Sequence, residues 1–367
     1  MRILMTTDTV GGVWTFTLEL AAGLLERGCF VRLVSFGRLP GAAHHEQCAA
    51  LAEKHPRRFS FVPSEIPLEW MQQNGRVLEQ GSQLLQREAA LFCPDLIHSN
   101  EFCFGALHAA IPCVITAHSD VLSWAKACRL DGLPSSEWLE RYIAMVQAGL
   151  LAADAVAAPT QWMLHALAET FALPRHSAVV PNGRTIPSSR SGATATRAVT
   201  AGRLWDEAKA INTLAHVEST MPIAIAGEGR PECSASWINN SHLDWKGQLS
   251  EPEMMRLFCE SSVYLCLSKY EPFGLAALEA ALCGCAVVAR DIPSLREVWR
   301  DAALYFHDAC ELTGLLRRLQ SDPVLLRRAQ MMANGRAKWF TRDRMVDGYL
   351  GLFGSVLQIS LREEHAA

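Results

Sequence analysis

Along the first third of the chain, short apolar runs alternate with longer stretches whose apolar side chains recur every three or four positions. The run RILMTT (2–7) ends at Asp8 and is followed by the glycine pair Gly11–Gly12. Trp14, Leu18, Ala21, Ala22 and Leu25 then share one helical stripe, which Gly28 ends. CFVRLVSF (29–36) is the next strand, so the segment predicts a βαβ unit with its glycine turn at the carboxyl end of the first strand. DLIHSN (95–100), PCVITAH (112–118), AVAAPT (155–160) and SAVVPNG (177–183) read as further strands. The stretches between them are long enough for helical crossovers, which predicts a parallel sheet.

Residues 184–197, RTIPSSRSGATATR, are rich in Ser, Thr, Gly and Ala and carry no apolar period. The alternation then restarts with AVTAGRL (198–204), PIAIAGEG (222–229), LDWKGQL (243–249), VYLCLSKY (263–270), CAVVARD (285–291) and ALYFH (303–307). SEPE (250–253) predicts a capping box, with Ser250 as N-cap and Glu253 at the third helical position. A final amphipathic helix over about 343–357 carries the stripe Met345, Tyr349, Leu352 and Val356. The expected fold is α/β, with two Rossmann-like doubly wound domains facing across a cleft. Residues 1–184 form the first domain, 185–197 a linker, 198–340 the second domain, and 341–367 a helix and tail crossing back to the first. Open α/β sheets bind ligands beyond the carboxyl ends of their strands.

Composition narrows the classes of function. The chain has 367 residues, half of them hydrophobic, and a formal net charge of −4. A nucleic-acid binder would show a basic face, and the best basic patch is only KHPRR (54–58), which reads as a solvated loop before it reads as a membrane or acceptor contact. The 12 cysteines include no Cys-x-x-Cys, and the close pair Cys283 and Cys285 lies in an apolar turn, so buried free thiols of a reducing compartment are expected. The N-terminus reads as a strand and not a signal peptide, and no window is apolar enough to span a bilayer. The expected location is the cytoplasm, with contact at the inner face of the membrane left open.

The unusual polar residues gather just after strands. Asp8 and Gly11–Gly12 follow the first, Asn100 and Glu101 follow DLIHS, and His118 and Asp120 follow VITA. Asn182 follows VVP, Arg203 and Lys209 follow VTAG, Glu228 and Arg230 follow IAG, and Glu271 follows LSKY. In YEPFGLAALEA (270–280), Gly274 permits a sharp turn into a helix whose first amides, Phe273 to Ala276, stay unpaired. Such an end binds anionic oxygens, typically phosphate. Glu279 lies one turn further, on the face of Leu275, where a carboxylate can hold a vicinal diol. Glu271 lies on the other side of the turn and can hold hydroxyls of whatever the phosphate carries. Diol, phosphate and hydroxyls are the groups of a nucleotide sugar in order. Arg203 and Lys209 place two cations on one short loop, suited to a diphosphate. The full Gly-x-Gly-x-x-Gly dinucleotide fingerprint is absent. No Asp-x-Asp occurs, so a metal bridging the diphosphate through that motif is not expected, and no cofactor is called for beyond the nucleotide sugar as substrate.

These residues in this order resemble the retaining family 4 of nucleotide-sugar glycosyltransferases, which has the two-domain GT-B fold. EPFGLAALEA matches the family's Glu-x7-Glu motif, and VVPNG, AGRLWDEAK and IAGEG match its flanking signatures. The resemblance implies a hexosyltransferase that passes a sugar from a nucleotide donor, a UDP-sugar by family frequency, to the hydroxyl of a glycan, glycolipid or small glycoside. It implies that Arg203 and Lys209 hold the diphosphate, Glu279 the ribose, and Glu271 with the turn amides of Phe273, Gly274 and Leu275 the transferred sugar. It also implies that His118 contacts the sugar near the reacting carbon, that Gly12 approaches the phosphate, and that the base lies near Arg230 and the KGQLS loop with Leu249. Asn182 falls on the donor side, and Asn100, Glu101 and Asp120 on the acceptor side.

The sequence departs from the family pattern in three places. Arg203 and Lys209 are separated by one residue more than usual, Arg184–Thr185 replaces the usual Val-Asp, and Asn100 stands where many members have a second His. Alternatives are a GDP-mannose-dependent mannosyltransferase, a nucleotide-sugar epimerase or phosphorylase on the same fold, and a non-catalytic nucleotide-sugar sensor. A phosphorylase would need a late lysine for pyridoxal phosphate, and Lys246, Lys269 and Lys338 sit in no convincing site.

Overall fold

A computed structural model describes residues 1–107, 111–129, 132–185, 196–229 and 242–366, with side chains up to 359. Arg230 and most of the expected linker lie outside the described residues. The fold divides into two units. The first comprises Met1–Ser123, Asp131–Gly183 and Arg342–Ala367, and the second Trp124–Leu130 and Arg184–Thr341. The second unit therefore begins at Arg184, and it also takes in a short segment, Trp124–Leu130, that the sequence boundaries assign to the first domain.

The first unit is built on a seven-stranded parallel sheet: β1 (Arg2–Asp8), β2 (Phe30–Phe36), β3 (Phe59–Val62), β4 (Leu96–Ser99), β5 (Cys113–Thr116), β6 (Ala155–Ala158) and β7 (His176–Val179). Their spatial order is β3-β2-β1-β4-β5-β6-β7, the reversal at β1 and β4 that marks a doubly wound sheet. The helices between the strands are α1 (Gly12–Glu26), α2 (Ala42–Lys54), α3 (Val77–Phe92), α4 (Val121–Cys128), α5 (Glu137–Ala152) and α6 (Gln161–Ala168); α4 begins in this unit and belongs to the second from Trp124 on. Helices cover both faces, so the strands read as continuous apolar runs, and Ile3, Leu4, Met5, Ile97 and Val114 are wholly buried. The edge strand β3, most of it half-buried, is not among the strands the pattern predicts. The basic stretch before it is tied down locally: Lys54 pairs with Glu26 at 2.7 Å, and Arg58 donates to the Leu25 carbonyl at 3.0 Å.

The second unit holds a six-stranded parallel sheet: β8 (Ala198–Ala201), β9 (Ile223–Ala226), β10 (Leu243–Gly247), β11 (Val263–Cys266), β12 (Ala286–Arg290) and β13 (Leu304–Phe306), in the order β10-β9-β8-β11-β12-β13. Its helices are α7 (Glu251–Glu260), α8 (Leu275–Leu282), α9 (Pro293–Trp299), α10 (Ala309–Ser321) and α11 (Pro323–Ala337). The capping box forms as expected, with Glu253 accepting from the Ser250 amide at 2.8 Å and hydroxyl at 2.6 Å. Cys283 and Cys285 are buried in this core, and burial pushes both thiols up; the exposed Cys93 and Cys310 depart from the expectation of uniformly buried thiols.

The last helix, α12 (Arg342–Ala366), packs on α1 within the first unit. Met345, Tyr349 and Val356 are buried as the stripe predicts, but Phe353 is fully buried where Leu352 was expected. Each such side chain stabilises the docking by about 1.5–3 kcal/mol. Arg342 pairs with Glu26 at 2.6 Å, and Arg27 with Asp347 at 2.9 Å. No helix among the described residues is long and apolar enough to cross a membrane.

Candidate functional site

In the second unit the strands stop earlier than their apolar runs suggest, and the polar residues beyond them form loops at the carboxyl edge of the sheet. The ends of β8 and β9 meet there. Gly227 has φ of +143°, and a Cβ on it would overlap the Gly202 carbonyl oxygen, so this approach requires glycine. Beyond Gly202 the chain makes a single 3-10 turn, Glu207–Lys209, which Asp206 caps by accepting from the Ala208 amide at 2.9 Å. Asp206 also accepts from the Trp124 indole at 3.1 Å and pairs with Arg203 at 2.8 Å. The residue added between Arg203 and Lys209 is thus absorbed in an ordered turn, which ends in Ala210 at a φ of +46°.

The turn carries Lys209 across to Glu271, with Nζ 2.5 Å from Oε2. Both side chains are mostly buried. Burial pulls the Lys209 pKa down, but the Glu271 carboxylate more than offsets this and the ammonium is held above its ordinary range. Ser268 donates to the same Glu271 oxygen at 3.0 Å. Gly274 follows in the left-handed region, with φ of +90°, and starts α8 without any side-chain cap. The start of this helix thus has no side-chain cap and lies in sequence just after the Glu271 carboxylate that pairs with Lys209, an arrangement suited to a phosphate with a polyhydroxyl substituent. The side chain of Phe273 is buried, 5.2 Å from the ring of Phe340, and Leu275 and Leu249 pack on the core. The side chains of these three sequence candidates are thus engaged in the core.

Glu279 sits one turn into α8 and forms an ion pair with Arg184, Nε to Oε1 at 2.8 Å. Arg184 also donates to Glu251 at 2.7 Å. The sequence marks Arg184 only as a departure from a pattern; its contact with Glu279 is not legible there. Ser268 and Asp206 are likewise missed, being ordinary loop residues until their partners are known.

In the first unit, Gly12 opens α1 with Gly11 as its N-cap. His118 and Asn100 lie together beyond β5 and β4. The Asn100 amide nitrogen donates to the Thr6 carbonyl at 2.6 Å and to the Thr17 hydroxyl at 3.1 Å, so its oxygen must accept from His118 Nε2 at 2.8 Å. That fixes the imidazole as the Nε2–H tautomer. Burial holds its pKa down to about 3, so the ring is neutral, and it stands edge-on to Phe16 at 4.5 Å. Asn100 is thus a residue that orients His118, where the sequence placed it on the acceptor side.

Three other candidates are buried. Asp120 caps α4, accepting from the amides of Leu122 and Ser123 at 2.9 Å each, and from the Ser123 hydroxyl. Glu101 is 4% exposed, and neither carboxyl oxygen has a hydrogen-bond partner among the described residues. Burial pushes its pKa well above the usual range, opposed by Thr6 and reinforced by Asp8 and Glu69. Asn182 is 4% exposed. Asp120 and Glu101, expected on the acceptor side, thus lie beneath the surface of the first unit. Glu69, which the sequence did not single out, accepts from the amides of Phe102 and Cys103 at 3.0 and 2.7 Å.

Comparison with known proteins agrees with this geometry. Residues 10–185 match the model of Glycosyltransferase Family 4, and residues 209–338 match that of Glycosyl transferases group 1. The alpha-maltose-1-phosphate synthase of Mycobacterium tuberculosis is 27% identical over 252 residues, which are 57% of this chain and 62% of that protein. The serotype-specific mannosyltransferase WbdA of Escherichia coli is 25% identical over 159 residues, 40% of this chain and 20% of its own length. The chain thus matches about three-fifths of the first relative and a fifth of the second. Sucrose-phosphate synthase from Thermosynechococcus elongatus has the same fold, with a TM-score of 0.76 at 17% identity over 98% of this chain and 100% of that one. With two parallel doubly wound sheets, both family models matched in order along it, and the Glu271–Glu279 segment at the start of α8, the chain belongs to the family 4 glycosyltransferases of the GT-B fold.

Proposed function

We propose that the chain transfers a hexosyl group from a nucleotide diphosphate sugar to a hydroxyl acceptor, with retention at the anomeric carbon. The observation that carries this reading is the close pairing of Lys209 and Glu271 beside the uncapped start of α8, with Arg203 on the adjoining turn and Glu279 one helical turn away. The diphosphate takes the amides of α8 with Lys209 and Arg203, the sugar hydroxyls take Glu271, and the ribose takes Glu279. As the bond from the anomeric carbon to the diphosphate breaks, its electron pair passes to the phosphate oxygen, where the cations and the helix dipole stabilise the growing charge. The acceptor oxygen bonds to the same carbon, and its proton passes to the leaving diphosphate. Retention rests on the family resemblance.

A UDP-sugar is the favoured donor on family frequency. GDP-mannose is the alternative, supported by the similarity to WbdA, a mannosyltransferase. Calorimetric titration with UDP, GDP and ADP identifies the base. Release of that nucleotide from its hexose donors, measured with and without glycan, glycolipid and glycoside acceptors, tests transfer. Binding of none of the three nucleotides would overturn the reading. Nucleotide binding without acceptor-dependent release would favour a non-catalytic sensor.

A further inference from the structure

Arg184 opens the main segment of the second unit, and its backbone is fixed there. Its amide donates to the Phe340 carbonyl at 3.0 Å, and it forms a parallel bridge with Thr341. Its side chain is only 7% exposed and lies between two carboxylates, with Nε 2.8 Å from Glu279 as a charge contact that is not aligned as a hydrogen bond, and Nη2 donating to Glu251 at 2.7 Å. A guanidinium withdrawn this far from water requires anionic partners. The two partners are unequal. The Glu251 side chain is 49% exposed and gains little from the pairing, whereas that of Glu279 is 12% exposed. The buried contact is therefore the one with Glu279. An apolar side chain, which the family pattern carries at this position, could make neither contact.

We propose that Arg184 is a positioning residue for ribose: it holds the Glu279 carboxylate in the orientation that meets the diol, and so makes the site selective for ribonucleotides over their deoxy counterparts. The proposal rests on the reading of Glu279 as the ribose-binding carboxylate. A glutamate free to turn about its side-chain bonds must be ordered when the ligand arrives, and one already gripped by a buried guanidinium need not be. Arg184 acts only through Glu279 and touches neither the diphosphate nor the transferred sugar in this scheme. Its removal should therefore be felt through the ribose hydroxyls and not through the rest of the ligand.

The test is calorimetric titration of the wild type, Arg184→Val, Arg184→Gln, Arg184→Lys and Glu251→Ala. The probes are UDP and GDP with their 2′-deoxy and 3′-deoxy analogues, and each variant is first checked for folding by circular dichroism. The wild type should bind the ribonucleotide about 10- to 100-fold tighter than at least one deoxy analogue, the range for a hydrogen bond to a charged group. Arg184→Val and Arg184→Gln should lose most of that ratio while binding the deoxy analogue nearly as the wild type does. Arg184→Lys should restore part of it, and Glu251→Ala should keep it. A ratio unchanged in Arg184→Val or Arg184→Gln, even with weaker binding of both ligands, would mean a purely structural role and overturn the proposal alone. Failure of the wild type to bind either ribonucleotide would instead defeat the nucleotide reading on which it stands.

Discussion

Replacing Lys209 by methionine keeps the aliphatic stem that packs over Gly202 and removes only the ammonium. Glu271 then loses the cation 2.5 Å away and keeps the Ser268 hydroxyl as a donor. Breaking a fully buried pair in this way costs about 3–5 kcal/mol. Here the two side chains are 21% and 15% exposed, so water partly screens them and about 1–3 kcal/mol is expected. At about 2–4 °C per kcal/mol for a domain of this size, the loss is visible in a thermal unfolding curve. Turnover should suffer more. A cation facing charge that develops on the leaving diphosphate contributes roughly 2.7–4 kcal/mol to the transition state, so kcat should fall by about 10²–10³. The double variant Lys209→Met/Glu271→Gln separates the two effects. It leaves no uncompensated carboxylate, so its melting temperature should return toward that of the wild type, while its activity stays low. The assay is nucleotide release under saturating donor, paired with calorimetric unfolding of all three proteins. Turnover within about threefold of wild type for Lys209→Met, or recovery of activity in the double variant, would refute the assignment of Lys209 to the diphosphate.

Glu101→Gln should stabilise the protein near pH 8 and have little effect near pH 4. The folded-state pKa of Glu101 is raised, so the unfolded chain ionises first and stability is lost as pH rises from about 4.5 toward the folded value; urea unfolding at both pH values measures this. His118→Ala should lower kcat and leave the affinity for UDP or GDP nearly unchanged, since the nucleotide groups assigned above lie in the second unit; kinetics and titration together decide, and lost nucleotide affinity would count against it. Turnover should survive EDTA, because the chain has no Asp-x-Asp and Arg203 and Lys209 supply the positive charge; a loss restored by Mg²⁺ or Mn²⁺ would contradict this.

The fold was legible wherever burial is uniform. Strands covered on both faces show as continuous apolar runs, which is why β1, β8, β11 and β12 stand out in the sequence. The edge strand β3 lacks that signature, since its neighbours cover it on one side only and FSFV alternates with nothing. Strand ends were overestimated for a related reason. VVPNG and LSKY continue an apolar run into residues that leave the sheet, and pattern alone does not mark where the pairing stops. In α12 the stripe gives the correct face but not which of two adjacent apolar residues turns fully inward. Phe353 wins over Leu352 because its ring fits against His98 and Tyr349, at 5.7 Å from each.

The site was legible in its charged groups and opaque in the partners that hold them. Arg203, Lys209, Glu271 and Glu279 stand out because a polar residue just past a buried strand, or one turn into a helix that starts at glycine, has few structural reasons to be there. What keeps each one ordered is a second side chain that the pattern does not mark. Arg203 is held by Asp206, Asp206 by Trp124, Glu271 by Ser268, and Glu279 by Arg184. The pairs Trp124–Asp206 and Arg184–Glu279 join segments far apart in sequence, which no periodic pattern could reveal, whereas Arg203–Asp206 and Ser268–Glu271 are local i,i+3 contacts in loops that have no helical period to mark them. The same physics explains why they must exist. A charge half-withdrawn from water is tolerable only with a counter-charge or donor at hydrogen-bond distance. The family motif therefore marks the candidate ligand-binding groups, while the side chains that hold them have to be read from the structure. Asn100, where a histidine is usual, and Arg184, where valine is usual, both fall in that second class: each touches a candidate ligand-binding side chain, His118 or Glu279, and neither needs to touch the ligand.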